Sequence, residues 1–167
     1  NRGFPAANNQ GIRRARGRYV LLLNPDTEVL DDALLQMTSF ADAHPDVGMV
    51  GPQLLNPDGT IQSSRRRFPT LATAFVESTW LQLTVMSLES GGLSRFLTAP
   101  LRHLLDRYYV ADRSDSAIQD VDWITGAAMF SRRDAIEDVG GMDEAYFMYS
   151  EELDWCRRLR EAGWRIV

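Results

Sequence analysis

Apolar residues recur along this chain at two periods. In residues 6–16, Ala7, Ile12 and Ala15 can share one face of a short helix, and Gly17 suits its end. Tyr19-Val20-Leu21-Leu22-Leu23 is a continuous apolar run, the pattern of a strand covered on both faces, and Asn24-Pro25-Asp26-Thr27 stops it because proline cannot continue a central ladder. Asp31 then suits the cap of a helix reaching Ala43, with Leu34, Leu35, Thr38 and Ala41 at helical spacing. Residues 47–50 read as a second buried strand. Leu54-Leu55 and Ile61 flank the turn signal Asn56-Pro57-Asp58-Gly59, which predicts a hairpin.

Further along, residues 70–109 carry apolar positions at mixed spacing, interrupted at Gly91-Gly92 and Pro100, and predict two or more amphipathic helices. A polar loop over 113–120 leads into the apolar, small-residue segment 121–130, a strand or strand pair. A short helix over 133–139 closes at Gly140-Gly141. A last helix over 151–162 ends at Gly163, with Leu153, Cys156 and Leu159 at three-residue spacing. Strand–helix–strand alternation followed by a mixed region predicts an α/β domain with a largely parallel sheet. Ligands of such sheets bind at the carboxyl ends of strands, which here points to Asn24-Pro25-Asp26.

Composition narrows the chemistry. A net charge of −5 gives no bulk attraction to nucleic acid. Every basic residue that could form an ion pair at neutral pH is arginine; with no lysine there is no Schiff-base nucleophile and no lysine phosphate clamp. Arginine remains, and its planar fork suits phosphate. The one cysteine, Cys156, excludes an internal disulfide and fits a reducing compartment, and no apolar run reaches the roughly 20 residues of a membrane span. The chain opens within what reads as a loop, Asn1-Arg2-Gly3-Phe4-Pro5, and stops at Trp164-Arg165-Ile166-Val167, the start of a buried strand. Both ends read as those of a fragment.

Four constellations carry chemistry. Asn24-Pro25-Asp26-Thr27-Glu28 puts a carboxylate at the mouth of the sheet, where a divalent cation could meet a diphosphate; the plain alternative is a strand-ending turn. Glu151, Glu152 and Asp154 open the last helix. One of them could take a proton from an acceptor hydroxyl, or all could merely offset the helix dipole. Gly140-Gly141-Met142-Asp143-Glu144 followed by Tyr146-Phe147-Met148-Tyr149 could hold a sugar or lipid acceptor, or be a helix C-cap with core aromatics. Arg65, Arg66 and Arg67 could meet diphosphate or an anionic membrane surface, or form a solvated edge. Asn56-Pro57-Asp58-Gly59 lacks the ligand series of a calcium loop. His44, His103 and Cys156 form no nucleophilic grouping and read as structural.

The order of these motifs is more specific than any one of them. Gly3-Phe4-Pro5-Ala6-Ala7-Asn8-Asn9-Gln10-Gly11-Ile12, Tyr19 through Thr27, Val121-Asp122-Trp123-Ile124-Thr125-Gly126-Ala127-Ala128-Met129, Gly140 through Glu144 and Tyr149 through Cys156 together resemble the family-2 inverting glycosyltransferases, and especially their rhamnosyltransferase-like branch. The resemblance covers nearly the whole chain outside the stretch 71–120, which corresponds to a variable helical insertion.

The resemblance implies a partial catalytic domain over 1–167 with a GT-A fold: a mostly parallel mixed sheet flanked by helices, with that insertion. It implies transfer of a sugar, such as rhamnose, from a dTDP-, UDP- or GDP-linked donor to a lipid- or polysaccharide-linked acceptor with inversion, in cell-surface polysaccharide synthesis. Asn24 and Asp26 match the metal motif for Mg²⁺ or Mn²⁺, and Glu152 matches the general base. Gly126, Ala127, Asp143 and Glu144 match segments lining donor and acceptor. Asn8, Glu151 and Trp155 are placed with them, Asn8 standing where many relatives carry arginine. The expected location is the cytoplasm, at the inner face of the plasma membrane. The family's opening strand and helix, with the acids that grip base and ribose, would precede Asn1, so the 167-residue piece is expected to bind nucleotide poorly alone. A sugar-nucleotide-binding scaffold without turnover and a nucleotidyltransferase of related fold remain as alternatives.

Overall fold

The structure is a computed structural model that describes residues 1–79, 92–115 and 117–167. The chain divides into two compact units, Asn1–Arg65 with Ile118–Val167, and Arg66–Ala117.

In the first unit, α1 (Phe4–Arg14) begins two residues before the expected start, because proline is tolerated in a helix's first turn, where its missing N–H would be unpaired anyway. Its inward face is Ala6, Asn9 and Ile12 instead of Ala7, Ile12 and Ala15; Ala7 is exposed. Strand β1 (Tyr19–Leu23) alternates, with Val20 and Leu22 buried and Leu23 exposed, so it is not sealed on both faces as expected. Helix α2 (Ala33–Ala43) starts after Asp32, which makes no capping bond, and Asp31 lies outside the helix in the left-handed region at φ 43°. Met37 and Ala41 bury its inner face, whereas Leu34 and Leu35 are exposed. The pattern Met37, Phe40, Ala41 meets Val47, Val50 and Phe130, and Leu34 lies a turn too early to reach them.

Strand β2 (Val47–Val50) is buried throughout. The hairpin β3 (Leu54–Leu55) and β4 (Ile61–Gln62) pairs antiparallel as expected, its turn closed by Gly59 at φ 82°. After β5 (Arg65–Arg66) the second unit holds α3 (Leu71–Glu77), capped reciprocally by Thr70 and Thr73, and α4 (Gly92–Tyr108). Val76 and Leu105 form a small core with Leu101, Leu104 and Tyr109. Pro100 does not end α4 as expected. A proline removes one backbone bond, and the leucines that follow it are packed. The expected interruption at Gly91 lies outside the described residues.

The chain returns to the first unit through β6 (Trp123–Ile124), β7 (Ala128–Arg132), α5 (Arg133–Val139), α6 (Glu151–Glu161) and β8 (Arg165–Ile166). The main sheet has the order β1-β7-β2-β8. β7 runs antiparallel to both β1 and β2, and β8 lies parallel to β2, so three strands share one direction around a reversed β7. Trp155, Cys156 and Leu159 of α6 are fully buried and fix that helix on the core.

Candidate active site

The pairing of Leu23 with Ala128 decides where the first motif sits. β1 ends where β7 begins, so the turn after β1 and the segment before β7 occupy the same end of the sheet. The Asn24 N–H donates to the Ala127 carbonyl at 3.0 Å, joining the two segments directly. Thr27 folds the turn back, its hydroxyl and its N–H both donating to the Asn24 carbonyl. That leaves Asp26 exposed at the carboxyl end of the strand and Asn24 half-buried beside it. Gly126 lies against Phe4 of α1: a methyl group there would meet the ring edge at 3.9 Å.

The loop between α5 and α6 is held at several points. Phe4 N–H donates to the Phe147 carbonyl at 2.9 Å. Gly3, at φ 91°, must lack a side chain, since a Cβ would sit 2.6 Å from that same oxygen. Arg158 clasps the loop's first turn, donating to the Val139 and Gly141 carbonyls and to Asp154. Trp155, expected among the ligand-binding residues, is wholly buried, and its indole N–H donates to the Gly140 carbonyl at 2.9 Å; it supports the turn from behind. Asp143 is exposed and accepts from the Ala145 N–H. Glu144 accepts from Asn9 at 3.0 Å and pairs loosely with Arg13 and Arg2, and these contacts hold its carboxyl below the usual range, the Asn9 bond foremost. Tyr146, Phe147, Met148 and Tyr149 are exposed and do not join the core.

Asn9 and Arg158, to which the sequence alone assigns no role, matter here. Asn8 is half-buried and donates only to the Phe4 carbonyl within its own helix, whereas its neighbour Asn9 is buried and bonds to Met142 and Glu144. The signal was the spacing Ala6–Asn9–Ile12, masked because the middle member is polar. Arg158 stands four residues after Asp154 on one helix, a spacing that suits their ion pair, but the Val139 and Gly141 carbonyls it clasps lie outside that helix and carry no local signal.

At the head of α6, Glu151 is 4 % exposed, and both Glu151 and Glu152 have an Oε2 that is buried and finds no hydrogen-bond partner among the described residues. Glu152 is partly open to solvent, and its carboxyl is held above the ordinary range, first by loss of hydration and then by the charge of Glu151. One turn further on, Cys156 is pushed up to about 12 by burial, which makes it an inert thiol. Asp154 is committed to Arg158 at 2.8 Å and is no candidate for proton transfer.

In the second unit, Arg67 forms a two-pronged pair with Asp112 at 3.0 Å and donates to the Arg107 carbonyl, and Arg66 lies over the Tyr109 ring at 4.5 Å.

The exposed Asp26 carboxylate and the Asn24 amide oxygen are hard oxygen donors. They fit a Mg²⁺ or Mn²⁺ ion that draws its other ligands from a substrate diphosphate and water, and do not fit one caged by protein alone. Among the described residues no three His, Cys, Asp or Glu side chains gather into such a cage.

An α/β unit with a mixed sheet, an acid-bearing turn at the carboxyl end of a strand and a carboxylate-headed helix has the build of a GT-A nucleotide-sugar transferase. The chain belongs to glycosyl transferase family 2, whose sequence model matches residues 1–137, a span that stops short of α6. It is 31% identical over 151 residues, 89% of this chain and 43% of the relative, to the N-acetylglucosaminyl-diphospho-decaprenol L-rhamnosyltransferase of Mycobacterium tuberculosis. It is 28% identical to the rhamnosyltransferase WbbL of Escherichia coli K12, over 98% of this chain and 56% of the relative. A like identity, 28% over 98% of this chain and 11% of the relative, holds for the O-antigen biosynthesis protein RfbC of Myxococcus xanthus. The chain thus spans less than half the length of the mycobacterial relative.

Proposed function

We propose that this protein transfers a sugar, with rhamnose the first candidate, from a nucleotide-diphospho-sugar to a lipid- or saccharide-linked acceptor, inverting the anomeric carbon. The observation that carries the reading is the Glu152 carboxyl: recessed, without a partner at Oε2 among the described residues and more basic than usual, on the first turn of a helix locked into the core. Such a group is suited to accept a proton from an acceptor hydroxyl as that oxygen attacks the sugar. The nucleotide diphosphate leaves from the opposite face, which inverts the centre.

Asp26, with Asn24, would hold Mg²⁺ or Mn²⁺, which supplies Lewis-acid neutralisation of the departing diphosphate. Gly126 and Ala127 supply the narrow, side-chain-poor wall beside that turn, and Asp143, Glu144 and the exposed aromatics supply the acceptor side. Glu151 belongs beside the donor and acceptor in this reading, but its carboxyl is almost wholly buried and would meet a substrate hydroxyl only if the head of α6 opened. Rhamnosyltransferase relatives support the choice of sugar, and the decaprenol-linked substrate in one relative's name supports a lipid-linked acceptor in cell-envelope synthesis.

The stretch 71–120 would be a variable insertion within the catalytic domain. In this reading Arg65, Arg66 and Arg67 meet phosphate or an anionic membrane surface, Arg67 leaving Asp112 and Arg66 leaving the Tyr109 ring to do so. No helix among the described residues is long and apolar enough to cross a membrane. In this reading Arg65, Arg66, Arg67 and the helical stretch would make peripheral contact at the cytoplasmic face of the membrane.

The test is donor consumption by the full-length protein with Mn²⁺ and a polyprenyl-diphosphate-linked sugar acceptor, across dTDP-, UDP- and GDP-sugars. One donor should be consumed, yielding product of inverted anomeric configuration by NMR. Retained configuration, or no consumption of any donor, would defeat the reading.

A further inference from the structure

Asn9 uses its side-chain amide as a length of backbone. The Met142 N–H donates to Oδ1 at 3.0 Å, and Nδ2 donates to the Met142 carbonyl at 2.8 Å, across 133 positions of sequence. The second hydrogen of Nδ2 goes to Glu144 at 3.0 Å. Among small polar side chains only asparagine offers a donor pair and an acceptor at this reach: aspartate lacks the donor, serine is too short, and glutamine adds a methylene to a buried, filled place. Both donors are occupied and Oδ1 is engaged, so the amide is committed to support and not to a ligand. Its partner loop is shaped to it. A Cβ on Gly141 would lie 2.3 Å from Oδ1, and the three nearest atoms it would meet all belong to Asn9.

What the loop delivers explains the need for such a grip. Immediately before α6, Tyr149 and Ser150 both take left-handed backbone, at φ 72° and 70°, a costly conformation for side chains of this kind. Strain of this sort persists only where both flanks are fixed. Downstream the fixed flank is α6, with Trp155, Cys156 and Leu159 in the core. Upstream it is the grip of α1, through Asn9 at Met142 and Phe4 at Phe147. Between these anchors the chain turns sharply and sets the first residues of α6.

We infer that Asn9 is a positioning residue, fixing through residues 141–150 where the head of α6 presents Glu152; this rests on the reading of Glu152 as the general base. Asn9 touches no reacting atom. Loosening it lets Tyr149 and Ser150 relax and carries the carboxyl away from its working position.

The test is steady-state kinetics of the full-length protein with its consumed donor, comparing Asn9→Ala, Gly141→Ala, the pair together, and Asn9→Ala combined with Glu152→Gln. Asn9→Ala should lower kcat by about 100-fold, the scale of a misplacement near 1 Å, with donor KM changed by less than about threefold. Gly141→Ala should reproduce that loss by pushing the amide out, and the two together should be no worse than Asn9→Ala alone. In the Glu152→Gln background, Asn9→Ala should cost nothing further. Thermal unfolding checks that each variant is folded; if Asn9→Ala is not, Gly141→Ala in the same two backgrounds carries the comparison.

A loss that multiplies in the Glu152→Gln background, or one confined to KM, overturns the positioning role while leaving the base assignment standing. Full turnover by Glu152→Gln itself would remove the base assignment, and the inference with it.

Discussion

Replacing Glu152 by glutamine should cost the enzyme its turnover and make it more stable. The carboxyl stands in the first turn of α6, where the helix dipole favours a negative charge by about 0.3–1 kcal/mol. Against this, Oε2 is buried with no partner among the described residues, which costs about 1–3 kcal/mol for a polar group. The neighbouring Glu151 adds repulsion, and the raised proton affinity of Glu152 shows that desolvation wins. Part of the side chain reaches water, so the net cost of the charge belongs at the low end, about 1 kcal/mol after screening.

A carboxyl whose folded pKa lies above its unfolded value binds its proton more tightly in the folded state. Its contribution to stability is therefore fully present below the unfolded value of about 4.3, and is lost as pH rises through the folded value. Glutamine is neutral throughout and nearly isosteric. The variant should match wild type near pH 4 and exceed it above neutrality by about 1 kcal/mol, or roughly 2–4 °C in Tm for a protein of this size. Thermal unfolding at the two pH values measures this. A lower Tm for Glu152→Gln near neutrality, or an equal gain at both pH values, would mean that the Glu152 charge carries no desolvation cost in the folded protein.

Asp26→Ala should abolish Mn²⁺-dependent donor consumption yet leave stability within about 0.5 kcal/mol, because the side chain is exposed; a large drop in Tm would give it a structural role instead. Gly3→Ala should destabilise by about 1–3 kcal/mol in chemical denaturation, since it combines a left-handed backbone with a Cβ 2.6 Å from the Phe147 carbonyl oxygen. Arg158→Met should cost about 2–4 kcal/mol by the same measurement, because it orphans the Val139 and Gly141 carbonyls and strips Asp154 of its partner. Cys156 should resist a thiol reagent in the native protein and react on unfolding, and labelling at native rates would contradict its burial.

Much of the fold was legible because the signals were local. The apolar run 19–23 stopped by Pro25, the turn closed by Gly59 and the helix closed by Gly140 each carry their own boundary in a few residues. What misled were positions where local preference and tertiary packing disagree. Leu34 and Leu35 have the right chemistry for a core, but the sheet meets the face with Met37 and Ala41. Pro100 signals a break that the packed leucines after it override. At the candidate site, Asn24 and Asp26 could be placed from the strand they end, whereas their adjacency to Ala127 depends on an antiparallel register that no local pattern encodes. Asn9 was hidden for the same reason, since its partner lies 133 positions away and its polarity masks the inward face of α1.

The most direct measurement of the central claim is donor turnover by full-length wild type and Glu152→Gln side by side, with Mn²⁺ and acceptor at saturation. Glu152→Gln should lose at least about 100-fold in kcat, the scale of a lost general base, with donor binding retained. Turnover by Glu152→Gln at the wild-type rate would contradict it and send the search for the base to Glu151.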